Sequence, residues 1–70
     1  MAHRVEISAS AGTNVATRMS EMRAWLDDRR FEPNLFNYNA SIAGLVFQVD
    51  FDVASEAMAF AQAFRGQVLS

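Results

Sequence analysis

One stretch of the chain, residues 44–66, constrains the fold more than any other. Phe47, Val49 and Phe51 alternate with polar residues at a period of two, which is typical of a strand with one buried face. The residues that follow carry apolar side chains at helical spacing, among them Phe60 and Phe64. A strand that leads into such a helix predicts a helix packed on a sheet, with these five side chains buried.

Capping signals mark both ends of this predicted helix. The carboxylate of Asp52 is placed to accept hydrogen bonds from the first free backbone N–H groups. Arg65 suits the negative C-terminal end of a helix, and Gly66 suits the left-handed residue just beyond it. We therefore expect the helix to run between Asp52 and Gly66.

The N-terminal part of the chain shows the same order of strand and helix. Residues 4–8 alternate around Val5 and Ile7, which predicts a short strand. An amphipathic helix follows, capped by Thr13 or Asn14 and ending near residues 29–30, before Pro33. Its apolar positions, spaced by three or four residues, are Val15, Met19, Met22 and Leu26.

Residues 35–42 predict a further strand, because Phe36, Tyr38 and Ala40 alternate with polar residues. Its asparagines disfavour a central position and suit an edge strand that faces water. Residues 41–44 predict a turn that joins this strand to the next as a hairpin. Residues 67–69 predict either a fourth strand or a tail.

These elements predict a single α+β domain over residues 1–70. Connection rules favour the ferredoxin-like β-α-β-β-α(-β) arrangement, an antiparallel sheet in the strand order 4-1-3-2 with both helices on one face. An all-helical fold, or a three-stranded variant without the last strand, is the alternative.

Composition excludes several classes of protein. The chain has no cysteine, which removes disulfides and thiolate metal sites and fits a cytoplasmic location. It contains no apolar run long enough for a membrane span. A formal net charge of −2 and a predicted sheet face without aromatic residues both argue against nucleic-acid binding.

The sequence shows no catalytic motif and predicts no metal or cofactor. The one histidine, His3, lies beside the N-terminus, away from any nucleophile–base pattern. Asp50 and Asp52 lie two residues apart on a strand, but hard metal ions need more oxygen ligands than two carboxylates supply. An enzyme is therefore the third of three functional hypotheses.

A loop ahead of the first helix supports the second hypothesis, a domain that binds an anion or another small molecule. The free N–H groups and the dipole of a helix N-terminus favour an anion. The loop spans residues 8–14, and its candidate ligand-binding residues are Ser10, Gly12, Thr13 and Asn14. It contains one glycine and no basic residue, and the competing interpretation is a capped turn.

The first hypothesis is a small interaction or regulatory domain that acts as a homodimer. A chain of 70 residues is marginally stable alone, and two-fold dimers are the commonest assembly. We expect the contact to form through the uncovered sheet face, at Leu35, Val46 and Gln48, rather than through the helices. Trp25 is a second candidate contact, because tryptophan is enriched at interfaces.

Overall fold

The computed structural model describes residues 2–69. Four strands and two helices follow one another in the order β-α-β-β-α-β. The elements are β1 (His3–Ala9), α1 (Val15–Arg29), β2 (Leu35–Ser41), β3 (Gly44–Phe51), α2 (Ala54–Phe64) and β4 (Gln67–Val68). The predicted α+β class, with one antiparallel sheet and two helices, is confirmed.

The sheet has the strand order β2-β3-β1-β4, and each neighbouring pair is antiparallel. The most apolar strand, β3, therefore lies inside the sheet, and the asparagine-containing β2 lies at an edge. The two-residue turn of Ile42 and Ala43 joins β2 to β3, and Ser41 pairs with Gly44 across it. The C-terminal residues Gln67 and Val68 form a short strand at the other edge.

One hydrophobic core lies between the sheet and the helices. Every second residue of β1 and β3 points into it, as the period of two requires. Both helices contribute to this one cluster, so both lie on the same face of the sheet. Its buried members are Val5, Ile7, Met22, Leu26, Leu45, Phe47, Val49, Phe51, Ala57, Phe60 and Ala61.

Local signals account for the ends of α1. The side chain of Asn14 accepts a hydrogen bond from the backbone N–H of Thr17 at 3.1 Å, which satisfies one of the free donors of the first turn. At the other end Arg30 adopts the left-handed conformation, with φ 58°, and its N–H bonds to the carbonyl oxygen of Asp27. Both ends agree with the sequence prediction.

The predicted caps of α2 are wrong at both ends. The N-cap is Val53, which makes no side-chain capping bond, whereas the carboxylate of Asp52 accepts a hydrogen bond from the side-chain amide of Asn34. At the C-terminal end Arg65, not Gly66, adopts the left-handed conformation, with φ 57°. Gly66 is instead a point of close approach, because a Cβ there would lie 2.6 Å from the carbonyl oxygen of Glu6.

The predicted burial of five core side chains holds for four of them. Phe47, Val49, Phe51 and Phe60 are fully buried. Phe64 is only partly buried and packs against the margin of the core, so its predicted full burial is wrong. It lies in the last turn of α2, where its ring contacts the rings of Trp25 and Phe60 and the guanidinium group of Arg18.

Candidate interaction surface

The helices cover only one side of the sheet, and the strand register shows which residues lie on the other. Residues that alternate with the core positions of β1, β2 and β3 share this second side. We call it the open face, and define it as Arg4, Glu6, Ser8, Leu35, Asn37, Asn39, Val46, Gln48 and Asp50.

An ion pair between the two central strands lies on the open face. Arg4 and Asp50 are direct cross-strand partners. The guanidinium Nε of Arg4 donates to Oδ1 of Asp50 at 2.9 Å and its Nη2 donates to Oδ2 at 3.1 Å, a bidentate geometry. These hydrogen bonds, together with the positive charge of Arg4, hold the pKa of Asp50 below its ordinary value against the opposing effect of burial.

This ion pair predicts a defined acid sensitivity. The pKa of Asp50 is lower in the folded protein than in the unfolded chain, so the unfolded chain takes up the proton first as the pH falls. The stabilisation from the pair is complete at neutral pH and is lost as the pH falls below about 4, toward the lowered folded-state pKa. Asp50→Asn should destabilise the protein at neutral pH, and this deficit should shrink in acid.

Urea unfolding midpoints at a series of pH values measure this effect. Asp28→Asn is a matched control, because Asp28 is an exposed helix residue whose carboxylate lies 3.6 Å from the guanidinium group of the neighbouring Arg29. We expect its pH dependence to match that of the unsubstituted protein. An Asp50→Asn protein with the same acid sensitivity as the control would contradict the role of the ion pair.

A second polar pair extends the same surface. Gln48 lies opposite Glu6, and its side-chain amide donates to the carboxylate at 3.2 Å. The central polar groups of the open face are thus hydrogen-bonded in pairs across β1 and β3. Two apolar side chains accompany them. Val46 is half-buried between Ser8 and Asn39, and Leu35 is exposed beside Asp50.

The structure brings three of the predicted interface residues together and separates the fourth. Leu35, Val46 and Gln48 share the open face. Trp25 lies on the opposite side, between the helices, where its ring makes edge-on contacts with Phe31, Phe60 and Phe64 at 5.5–6.0 Å. These contacts account for the position of Trp25 within the molecule, and its role in a partner contact stays a prediction.

The predicted ligand-binding loop forms a compact turn ahead of α1. The hydroxyl groups of Ser10 and Thr13 lie 3.2 Å apart, and the N–H of Thr13 bonds to the carbonyl oxygen of Ser10. Asn14 uses its side-chain oxygen as the helix cap. Gly12 has open space where a side chain would lie. The polar groups that a ligand would need are therefore largely used within the loop.

Sequence reasoning missed Arg4 and Asp50 as partners. The two residues are 46 positions apart, and each alone is an ordinary polar residue of a strand face. Only the register of β1 against β3 brings them together. Asp50 and Asp52 gain no further carboxylate or imidazole from the fold, because within residues 2–69 no three His, Cys, Asp or Glu side chains are grouped to hold a metal ion.

Two surface pockets are lined by residues other than the predicted ligand-binding residues. One pocket of about 340 Å³ lies beside the end of α2 and β4, and its lining includes Met58, Arg65 and Val68. Another, of about 210 Å³, lies at the hairpin end of the sheet and includes Ser8 and Val46.

Comparison with known proteins gives no external guide to function. No protein-family model, no curated protein and no solved structure matches the chain. Across residues 2–69, neither helix has the length and apolar character needed to cross a membrane. Functional inference therefore depends on the surfaces of the fold itself.

Proposed function

We propose that the protein is a small interaction domain that acts as a homodimer. The observation that carries this proposal is the one-sided cover of the sheet, whose two helices leave the open face and both sheet edges available to a partner. Small domains of this size are marginal alone, and a second copy is a common way to add buried surface. The ferredoxin-like assignment is part of the proposal, supported by the element and strand orders.

Three surfaces could form the contact between copies. The helical surface is the weakest candidate, because Trp25 is occupied within the molecule. The open face is intermediate, since Leu35 and Val46 offer apolar contact but its central polar groups are already paired. The third surface is an edge of the sheet. A cytoplasmic location also belongs to this proposal, because a chain without cysteine fits a reducing compartment.

The solution mass tests the homodimer directly. We expect light scattering to give twice the chain mass of 7.8 kDa at high micromolar concentration, and thermal stability to rise with protein concentration. Trp25→Ala should lower the stability of the monomer and leave the dimeric mass unchanged whenever the protein is folded. A single-chain mass throughout the concentration series would overturn the proposal.

Anion binding at residues 8–14 remains the alternative function. It stays a prediction from the sequence. The side chains of Ser10, Thr13 and Asn14 make hydrogen bonds within the loop and to the first turn of α1, and no basic residue lies in the loop.

A further inference from the structure

Strand β2 is an edge strand without the usual protection. It pairs with β3 in one continuous register over seven residues, with no bulge. It contains no proline and no charged residue, and most of it is exposed. Natural edge strands usually avoid pairing with other chains through shortness, charge, proline or bulges. The missing protection singles out this edge as a pairing surface.

The hairpin turn determines which backbone groups face outward. A two-residue turn closes on a hydrogen-bonded pair, here Ser41 and Gly44. Hydrogen-bonded pairs recur at every second residue, so the odd-numbered residues of β2 bond to β3. The even-numbered residues, Phe36, Tyr38 and Ala40, therefore direct their N–H and C=O groups away from the sheet.

These three positions are self-complementary about Tyr38. In an antiparallel pair related by a two-fold axis at Tyr38, Tyr38 lies opposite Tyr38 of the second copy, and Phe36 lies opposite Ala40 of the second copy. Each outward N–H group of one strand then donates to an outward carbonyl oxygen of the other. A large side chain then lies opposite a small one. Tyr38 is 46% exposed in one copy, so its ring has surface to bury against the second ring.

The other side of the strand fits the same register. On the open face, Asn37 of one copy lies opposite Asn39 of the other, and two amides offer each other both donor and acceptor groups. Leu35 lies opposite Ser41. No charged residue occurs in β2, so the two-fold axis brings no like charges into direct opposition.

We propose that two copies of this chain pair through their β2 edges, antiparallel and centred on Tyr38, to form one continuous eight-stranded sheet. The inference rests on the proposed homodimer and specifies its contact. It retains Leu35 at the contact and leaves Val46 and Gln48 outside it.

A single introduced cysteine tests the register. The chain has no cysteine of its own, so Tyr38→Cys places one thiol on the proposed axis. Residues of a hydrogen-bonded antiparallel pair have Cα atoms about 5.5 Å apart, within the range that a disulfide spans. We expect rapid oxidation to a covalent dimer. Ala40→Cys is the matched control, because its equivalent lies four residues along the strand, about 13 Å away, and should cross-link far more slowly.

A pair of charge variants separates the edge from the open face. Tyr38→Lys places two like charges opposite each other, and we expect the dimer dissociation constant to rise by about tenfold or more. Val46→Glu places its charge on a strand inside the sheet and should leave dissociation nearly unchanged. Circular dichroism checks that both variants are folded.

Amide hydrogen exchange gives an independent measurement in the unsubstituted protein. The N–H groups of Phe36, Tyr38 and Ala40 should become protected from exchange as the protein concentration rises.

The outcomes distinguish the two proposals. A single-chain mass at all concentrations overturns both the homodimer and the edge pairing. The edge pairing is overturned, and a homodimer through the open face is supported, by three results together. These are a dimer that Val46→Glu dissociates, no selective cross-linking at residue 38, and no concentration-dependent protection of the β2 amides. Cross-linking that is equal at residues 38 and 40 also overturns the register.

Discussion

Phe60→Ala is expected to remove most of the stability of this domain. Phe60 is fully buried, and its ring lies 5.0–5.5 Å from the rings of Phe64, Phe51 and Trp25. Truncating a buried phenylalanine costs about 3–5 kcal/mol, because the surrounding side chains fill the cavity only in part. A domain of this length has a total unfolding free energy of only about 4–10 kcal/mol. Urea unfolding followed by circular dichroism measures the loss.

Met58→Ala is the matched control on the same helix. Met58 is 56% exposed, so its truncation removes little buried surface, and methionine and alanine are both strong helix formers. We expect a midpoint close to that of the unsubstituted protein. Equal midpoints for Phe60→Ala and Met58→Ala would show that the core does not centre on Phe60.

Gly44→Ala is expected to have the second large effect. Gly44 begins β3 with φ 141°, a conformation that side chains rarely adopt. A Cβ there would lie 2.6 Å from the carbonyl oxygen of Ala9, which belongs to the backbone of the neighbouring strand and has little freedom to move. Backbone strain alone costs about 1–3 kcal/mol, and the clash adds to it. We expect a total loss of about 3 kcal/mol.

The comparison with Gly12→Ala isolates this effect from the entropy of the unfolded chain. Gly12 lies in the exposed loop before α1, and a Cβ added there would meet no atom within 4 Å. Both substitutions stiffen the unfolded chain to the same degree, so only the native-state cost differs. Thermal unfolding should show a midpoint lower by roughly 12–24 °C for Gly44→Ala and an unchanged or slightly higher one for Gly12→Ala. Similar midpoints would mean that the hairpin adjusts to the added methyl group.

Periodicity was sufficient to predict the secondary structure and the main layers. The alternation around Phe47 and Val49 identifies β3, and the spacing of Met22 and Leu26 identifies the buried side of α1. These predictions succeed because burial of one face imposes a repeat that local sequence records. The position of Leu35, Val46 and Gln48 on one face follows from the same alternation.

Long-range contacts explain what the sequence did not reveal. Asp52 has the residue type of a helix cap, but its carboxylate is engaged by Asn34, 18 positions away. Gly66 is the residue type expected in the left-handed conformation just after a helix. Glycine is needed there for another reason, because the backbone of β1 lies too close to leave room for a side chain. The outward backbone groups of β2 depend on a register that no single-sequence pattern specifies.

The position of β1 in the sheet has a consequence for synthesis of the protein. β1 is translated before the other elements of this sheet, yet both of its neighbours, β3 and β4, come later than α1 and β2 in the chain. Val5 pairs with Val49 and Val68, so the centre of the sheet forms through contacts between residues that are far apart in the sequence. Such topologies fold more slowly than those with local contacts. A nascent chain that ends before β3 holds an apolar strand with neither of its native neighbours, and the native sheet is assembled only after β3 and β4 have been translated.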